Sequence, residues 1–146
     1  MGRIKSWLFV VAMLTLMQVT AGAQAMFARM GEDELLAASA FVVVGTLVRQ
    51  EPSIAGGETR QVGVIEVEFV LKGGSNLATV RLALPDASQP VASDAITYRV
   101  GAKGLWYLRE LGSGDPPIYA ADHPQRFVPA AEAADPIDRL RRAGNR

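Results

Sequence analysis

Cysteine is missing from this chain of 146 residues, and its absence removes several kinds of chemistry at once. Without thiols the protein has no disulfide bonds, no cysteine-ligated zinc and no thiolate nucleophile. A lipid anchor attached to cysteine is excluded for the same reason. A folded domain of this composition must therefore be held together by packing and backbone pairing.

The chain is also poor in histidine, and its positive and negative charges balance. The only histidine is His123, and the 15 basic residues balance the 15 acidic ones. A single imidazole falls short of the several that zinc sites use, so we expect no metal ion and no other cofactor. A chain with no net charge has no overall field that attracts nucleic acid or an anionic membrane surface, so we expect neither as a partner.

The N-terminal segment differs in character from the rest of the chain. Arg3 and Lys5 give it a basic start, residues 7–17 are almost entirely apolar, and residues 23–25 read Ala-Gln-Ala. A basic start, a short apolar run and a small-x-small site are the features of a secretory signal peptide. The apolar run is shorter than the roughly 20 residues that span a bilayer, which makes a retained membrane anchor the less favoured alternative.

Removal of a signal peptide over residues 1–25 leaves residues 26–146, a length typical of one domain. Cleavage after Ala23 fits the pattern almost as well as cleavage after Ala25. We therefore expect a single domain that is periplasmic or extracellular after cleavage, with no membrane attachment.

Short β-branched and aromatic segments dominate the remaining chain. The pattern predicts a helix over residues 32–38, a closing helix over 137–143, and strands over 41–48, 64–72, 78–84, 96–100, 105–111, 118–121 and 126–128. The first strand is apolar on both alternating faces, which is typical of burial on two sides. Gly45 in its middle allows a bend through which one strand pairs in two directions.

Two details of the strand pattern lead to specific expectations. Pro52, Gly56 and Gly57 predict that residues 51–61 form a long hairpin loop. In the following strand, alternation predicts that one face carries Ile65, Val67, Phe69 and Leu71, and that the other carries Glu66, Glu68, Val70 and Lys72. In residues 78–84, alternation places Val80, Leu82 and Leu84 inside.

Five main strands, with 96–100 and 126–128 as minor extended pieces and no crossover helices, predict a mainly β fold, namely a small five-stranded barrel of the OB type with short flanking helices. A β-sandwich is the alternative, although it requires about seven strands at regular spacing.

Three segments resemble a known family. Residues 34–45, 65–73 and 100–108 read ELLAASAFVVVG, IEVEFVLKG and VGAKGLWYL, and they are similar to the netrin-like domain shared with tissue inhibitors of metalloproteinases. The resemblance extends over residues 34–129 and implies an OB-type barrel, as in exported bacterial proteins of undefined role. In the animal inhibitors an N-terminal cysteine binds the protease zinc, and no residue here matches that cysteine. The resemblance therefore implies the barrel and not the inhibitory activity.

The aromatic pair Trp106 and Tyr107 is a candidate partner-binding feature. Core packing is the favoured use of these rings. Because neighbouring residues of a strand point to opposite faces, the alternative is that at least one of the two rings is exposed and belongs to a partner-binding patch. His123 follows a predicted strand and is expected on a loop. We take Trp106, Tyr107 and His123 as candidate partner-binding residues.

Evidence for a catalytic set is weak. Ser93 or Ser113 with His123 and either Asp94 or Asp115 would supply the residue types of a hydrolytic triad. Neither serine lies in the glycine-flanked turn that presents a nucleophile, so no catalytic residues are assigned.

These observations favour an exported, non-enzymatic binding module that docks a protein or peptide through a strand edge or the loops at one barrel end. An envelope hydrolase that uses His123 with a nearby carboxylate is the first alternative. A protease inhibitor, by family analogy alone, is the second.

Overall fold

The computed structural model describes residues 27–55, 57–74, 76–85, 95–112 and 114–144. The predicted signal peptide lies outside these residues. The elements are α1 (Glu32–Ala37), β1 (Phe41–Ala55), β2 (Glu58–Lys72), β3 (Thr79–Ala83), β4 (Lys103–Glu110), β5 (Tyr119–Ala120), β6 (Phe127–Pro129) and α2 (Ala134–Gly144), with 3-10 turns at Pro124–Arg126 and Ala130–Glu132. None of the helices in the described ranges is long and apolar enough to cross a membrane.

Five strands close into a barrel in the order β1-β2-β3-β5-β4, and β4 pairs with β1 to complete the circle. All these pairs are antiparallel except β3 with β5, which is parallel and is formed by Leu82 and Tyr119. β6 is an extra strand that pairs with β4 beside β5. The predicted mainly β fold, a five-stranded OB-type barrel with short flanking helices, is confirmed, and the β-sandwich alternative is wrong.

β1 takes part in two pairings, as predicted from Gly45. Residues 41–46 pair with β4, while the whole length of the strand pairs with β2. At Gly45 an added Cβ would lie 2.4 Å from the backbone oxygen of Glu66, so only glycine allows the two strands to approach this closely. The close approach of β1 and β2 at this position therefore depends on the missing side chain.

A bulge at Glu68 changes the face of the following residues. Val44 is opposite Phe69 and Gly45 is opposite Val67, which leaves Glu68 without a partner across the pair. As a result Val67 packs inside the barrel, whereas Phe69 packs outside it. The prediction of one uninterrupted alternation from Ile65 onward is wrong beyond Val67, since Val70 also packs inside.

The predicted loop over residues 51–61 is also wrong. β1 and β2 continue as a two-stranded arm as far as the pair Ala55 and Glu58, and Gly57 has a φ of +83° at the turn. Pro52 is tolerated because, among the described strands, only β2 pairs with β1 beyond residue 46, which leaves one edge of the arm without a paired strand. The predicted strand over 96–100 is absent, and these residues form an irregular connection.

Two apolar clusters lie on the two sides of the sheet. The barrel interior contains Val43, Leu47, Ile65, Val80, Leu82, Trp106, Leu108, Tyr119 and Ala121, which confirms the inward positions of Val80 and Leu82. The outer cluster joins the helices to one outer face through Leu35, Val42, Val44, Leu105, Tyr107, Ala133 and Leu140. β1 is thus apolar on both faces because the barrel covers one face and the helices cover the other.

Candidate functional site

A groove runs along the end of β3, between the β1–β2 arm and the loop that joins β4 to β5. It consists of two adjoining depressions of about 380 and 360 Å³, which share Ala83, Leu84 and Leu111 as lining residues. The arm contributes Ile54 to one end, and Phe27 lines the other end. We call this surface the β3 groove.

Exposed apolar side chains concentrate in the β3 groove. Among the described residues, the large exposed hydrophobic side chains are Phe27, Ile54, Val100 and Leu111, and all except Val100 line the groove. Ile54 is 78% exposed although it belongs to a strand. Clustered exposed apolar surface of this kind marks interaction sites more often than isolated apolar residues do.

The charged groups beside the groove are paired with one another. Arg81 and Arg49 both contact the Glu51 carboxylate, at 3.1 and 3.2 Å. The hydrogen bond from Arg81 lowers the pKa of Glu51 against a smaller effect of desolvation, with Arg49 adding to the lowering. Arg60 contacts Glu58 at 3.2 Å. Each of the two arginines that line the groove, Arg60 and Arg81, thus has a glutamate carboxylate beside it.

His123 ties the N-terminal segment to the barrel. Its Nδ1 accepts a hydrogen bond from the backbone N–H of Gln125 at 3.2 Å, and its Nε2 lies 3.1 Å from the backbone oxygen of Ala28. With Nδ1 as an acceptor, the neutral ring carries its proton on Nε2 and donates to Ala28. The ring of Phe27 meets the imidazole edge to face at 5.3 Å. Both ring nitrogens therefore serve backbone contacts, and the histidine holds Phe27 at the end of the groove.

Gln125 completes this attachment. Its side-chain amide accepts from the Met30 nitrogen at 2.8 Å and donates to the Met30 oxygen at 3.0 Å, as a paired strand would. The wall that Phe27 supplies to the groove is consequently fixed by side chains from the turn at Pro124–Arg126.

Trp106 and Tyr107 are both buried, so core packing, the favoured use of these rings, is confirmed, and the alternative that one ring is exposed is wrong. Trp106 is 0% exposed inside the barrel, where it donates from Nε1 to the Gly45 oxygen at 3.1 Å and packs against Phe127. Tyr107 is 3% exposed on the outer face, because α1 and α2 cover that face. The structure separates these two rings by the sheet and places neither in the β3 groove.

Arg126 forms a buried polar cluster that the sequence did not reveal. It is 3% exposed and donates to Ser39 Oγ at 3.1 Å and to the Tyr107 oxygen at 3.2 Å. Asp122 lies 3.5 Å from Arg126 and 2.5 Å from Arg109. Partial burial acts to raise the pKa of Asp122, but the hydrogen bond and charge of Arg109 outweigh it, and the pKa is lowered.

Tyr98 lies next to this cluster and donates its hydroxyl to the Ala121 oxygen at 2.7 Å. Burial, with a further contribution from the negative charge of Asp122, raises the pKa of Tyr98 to about 12. The cluster joins α1, β4 and the loop after β5, which gives it a structural role.

The residues of the possible triad divide between described and undescribed parts of the chain. Ser93, Asp94 and Ser113 lie outside the described residues, while Asp115 lines the β3 groove. No group of three or more acidic, histidine or cysteine side chains that would hold a metal ion occurs within the described ranges.

The sequence contains the apolar residues of the groove, but the segments around them did not mark them as binding residues. Ile54 stood in a stretch predicted as a polar loop, and Leu111 stood at the end of a predicted strand. Only the closure of the barrel brings the two near Leu84.

Comparison of the chain with protein-family models, with curated proteins and with solved structures finds no match.

Proposed function

We propose that this protein is an exported, non-enzymatic binding module that holds an extended peptide with apolar side chains in the β3 groove. The observation that supports the proposal is the gathering of Phe27, Ile54 and Leu111 along one depression of the surface. OB-type barrels often bind extended ligands, namely oligonucleotides and oligosaccharides, against strands 2 and 3, between the loops that join strands 1–2 and 4–5. The β3 groove lies at this position.

The chemistry of the groove favours a peptide over a nucleic acid or a sugar chain. Single-stranded nucleic acids need stacking platforms and unpaired cations along the strand. Of the described residues that line the groove, Phe27 is the only aromatic one, and both arginines, Arg60 and Arg81, stand beside a glutamate. Apolar walls beside paired charges suit a neutral chain segment with aliphatic side chains.

A peptide-display selection on the purified protein tests this proposal. A double variant, Ile54→Ser with Leu111→Ser, lacks two of the apolar side chains that line the groove. Val100→Ser is the matched control, because Val100 is exposed outside the groove. All these side chains are exposed, so the urea midpoints of the variants should stay close to that of the unchanged protein.

We expect the selection to enrich peptides with two or more aliphatic residues. The double variant should bind them at least about tenfold more weakly, since each tenfold loss corresponds to about 1.4 kcal/mol and the two side chains together bury enough apolar area for that. The Val100→Ser protein should bind them normally. Failure to enrich any peptide family, or equal binding to the double variant, contradicts the proposal.

A further inference from the structure

A second cavity, of about 390 Å³, lies on the side of the barrel that α1 and α2 cover. None of its lining residues lines the β3 groove. Leu35, Tyr107, Val128 and Pro136 supply apolar surface, and Arg29 and Arg139 are among its polar lining residues. Its size is within the range of small-molecule sites, and we call it the helix cavity.

Tyr107 brings a polar group to the apolar part of this cavity. Burial raises the pKa of its phenol, the negative charge of Glu32 raises it further, and Arg139 partly opposes the two. The hydroxyl therefore stays protonated and is able to donate a hydrogen bond. Glu32 and Arg139 line the same cavity as Tyr107.

Arg139 has donor capacity left over. Its Nε contacts Glu32 Oε1 at 3.2 Å, and both side chains are about half exposed. A guanidinium carries five N–H donors, so one contact to Glu32 leaves the fork of terminal nitrogens for a second carboxylate. An exposed pair of this kind contributes little energy by itself and is readily shared.

From this arrangement we infer that the helix cavity binds a small molecule with an apolar body and a single carboxylate. The apolar body packs against Leu35, Val128 and Pro136, and the carboxylate accepts hydrogen bonds from Arg139 and the Tyr107 hydroxyl. A neutral ligand leaves the guanidinium fork unused. A second negative charge on the ligand meets the carboxylate of Glu32, which disfavours dianions.

Hexanoate and hexanamide are suitable probes, because they have the same shape and differ in charge. Each is titrated into the isotope-labelled protein while the amide signals are followed by nuclear magnetic resonance. We expect hexanoate to shift signals near Leu35, Tyr107 and Val128 in a saturable way, and hexanamide to bind at least about tenfold more weakly.

Two substitutions on α2 separate the carboxylate contact from a general charge effect. Arg139→Gln should weaken hexanoate at least about tenfold and leave the weak hexanamide binding unchanged. Arg142→Gln removes the same charge from the same helix at a residue that does not line the cavity, and it should leave hexanoate binding within about twofold. Tyr107→Phe should also weaken hexanoate while the ring keeps its packing.

The inference is overturned if hexanoate shifts signals only outside the helix cavity, if hexanamide binds equally well, or if Arg142→Gln weakens binding as much as Arg139→Gln. Because the helix cavity and the β3 groove share no lining residues, these outcomes leave the proposed peptide site unaffected.

Discussion

Replacement of Arg126 by methionine removes the guanidinium that joins α1 to the barrel and keeps most of the apolar stem. Ser39 Oγ and the Tyr107 oxygen then lose their donor in a buried setting. A buried acceptor without a partner costs about 1–3 kcal/mol, and the half-exposed Asp122 adds little. We therefore expect the free energy of unfolding to fall by about 3 kcal/mol.

Arg109→Met is the matched control, since it removes the other arginine that contacts Asp122. The Arg109 and Asp122 side chains are both about half exposed, so its cost should stay below about 1 kcal/mol. Urea unfolding, monitored by tryptophan fluorescence, measures both values. The midpoints are comparable when the unfolding free energies of the variants depend on urea concentration with equal slopes. Equal losses for Arg126→Met and Arg109→Met would refute the view that the buried guanidinium links α1 to the barrel.

Three further predictions concern other parts of the barrel. Gly45→Ala should lower the free energy of unfolding by about 1–3 kcal/mol, because the added Cβ meets the β2 backbone. Gly31→Ala, where nothing lies within 4 Å, should cost less. Urea midpoints in the reverse order would contradict the close approach of β1 and β2 at Gly45. The pKa of Asp122 is lowered in the folded protein, so its contribution to stability is present above the ordinary aspartate pKa and is lost as pH falls through the lowered value. Unfolding midpoints should therefore decline less steeply in acid for Asp122→Asn, and an unchanged decline would count against the ion pairs. Tyr98 is stabilising in its neutral form, with a contribution that is lost as pH rises from about 10 to about 12, and ultraviolet titration of Tyr98→Phe should lack a step near pH 12.

The sequence was sufficient for the features that depend on local patterning. The double-faced apolar run around Val43 and Val44 predicted burial on both sides, and the barrel and helices supply the two covers. Gly45 predicted a bend because a glycine within a strand signals a close approach, and the Glu66 backbone is the approaching group.

Features that depend on two strands together were not predictable in this way. The bulge at Glu68 is a property of the register between β1 and β2, so a single strand read by alternation places Phe69 on the wrong face. The arm was missed because Pro52 normally signals a break, and it is tolerated here because β2 is the one strand in the described part of the chain that pairs with β1 at this point. The groove required the fold itself, since Ile54 and Leu111 are distant in sequence.

The most direct test of the account is to locate a selected peptide on the protein by amide chemical-shift mapping. We predict the largest shifts at Ile54, Leu84 and Leu111, with the helix cavity unaffected. Largest shifts on the α1 and α2 side, or shifts spread evenly over the barrel, would contradict the assignment of the β3 groove as the binding site.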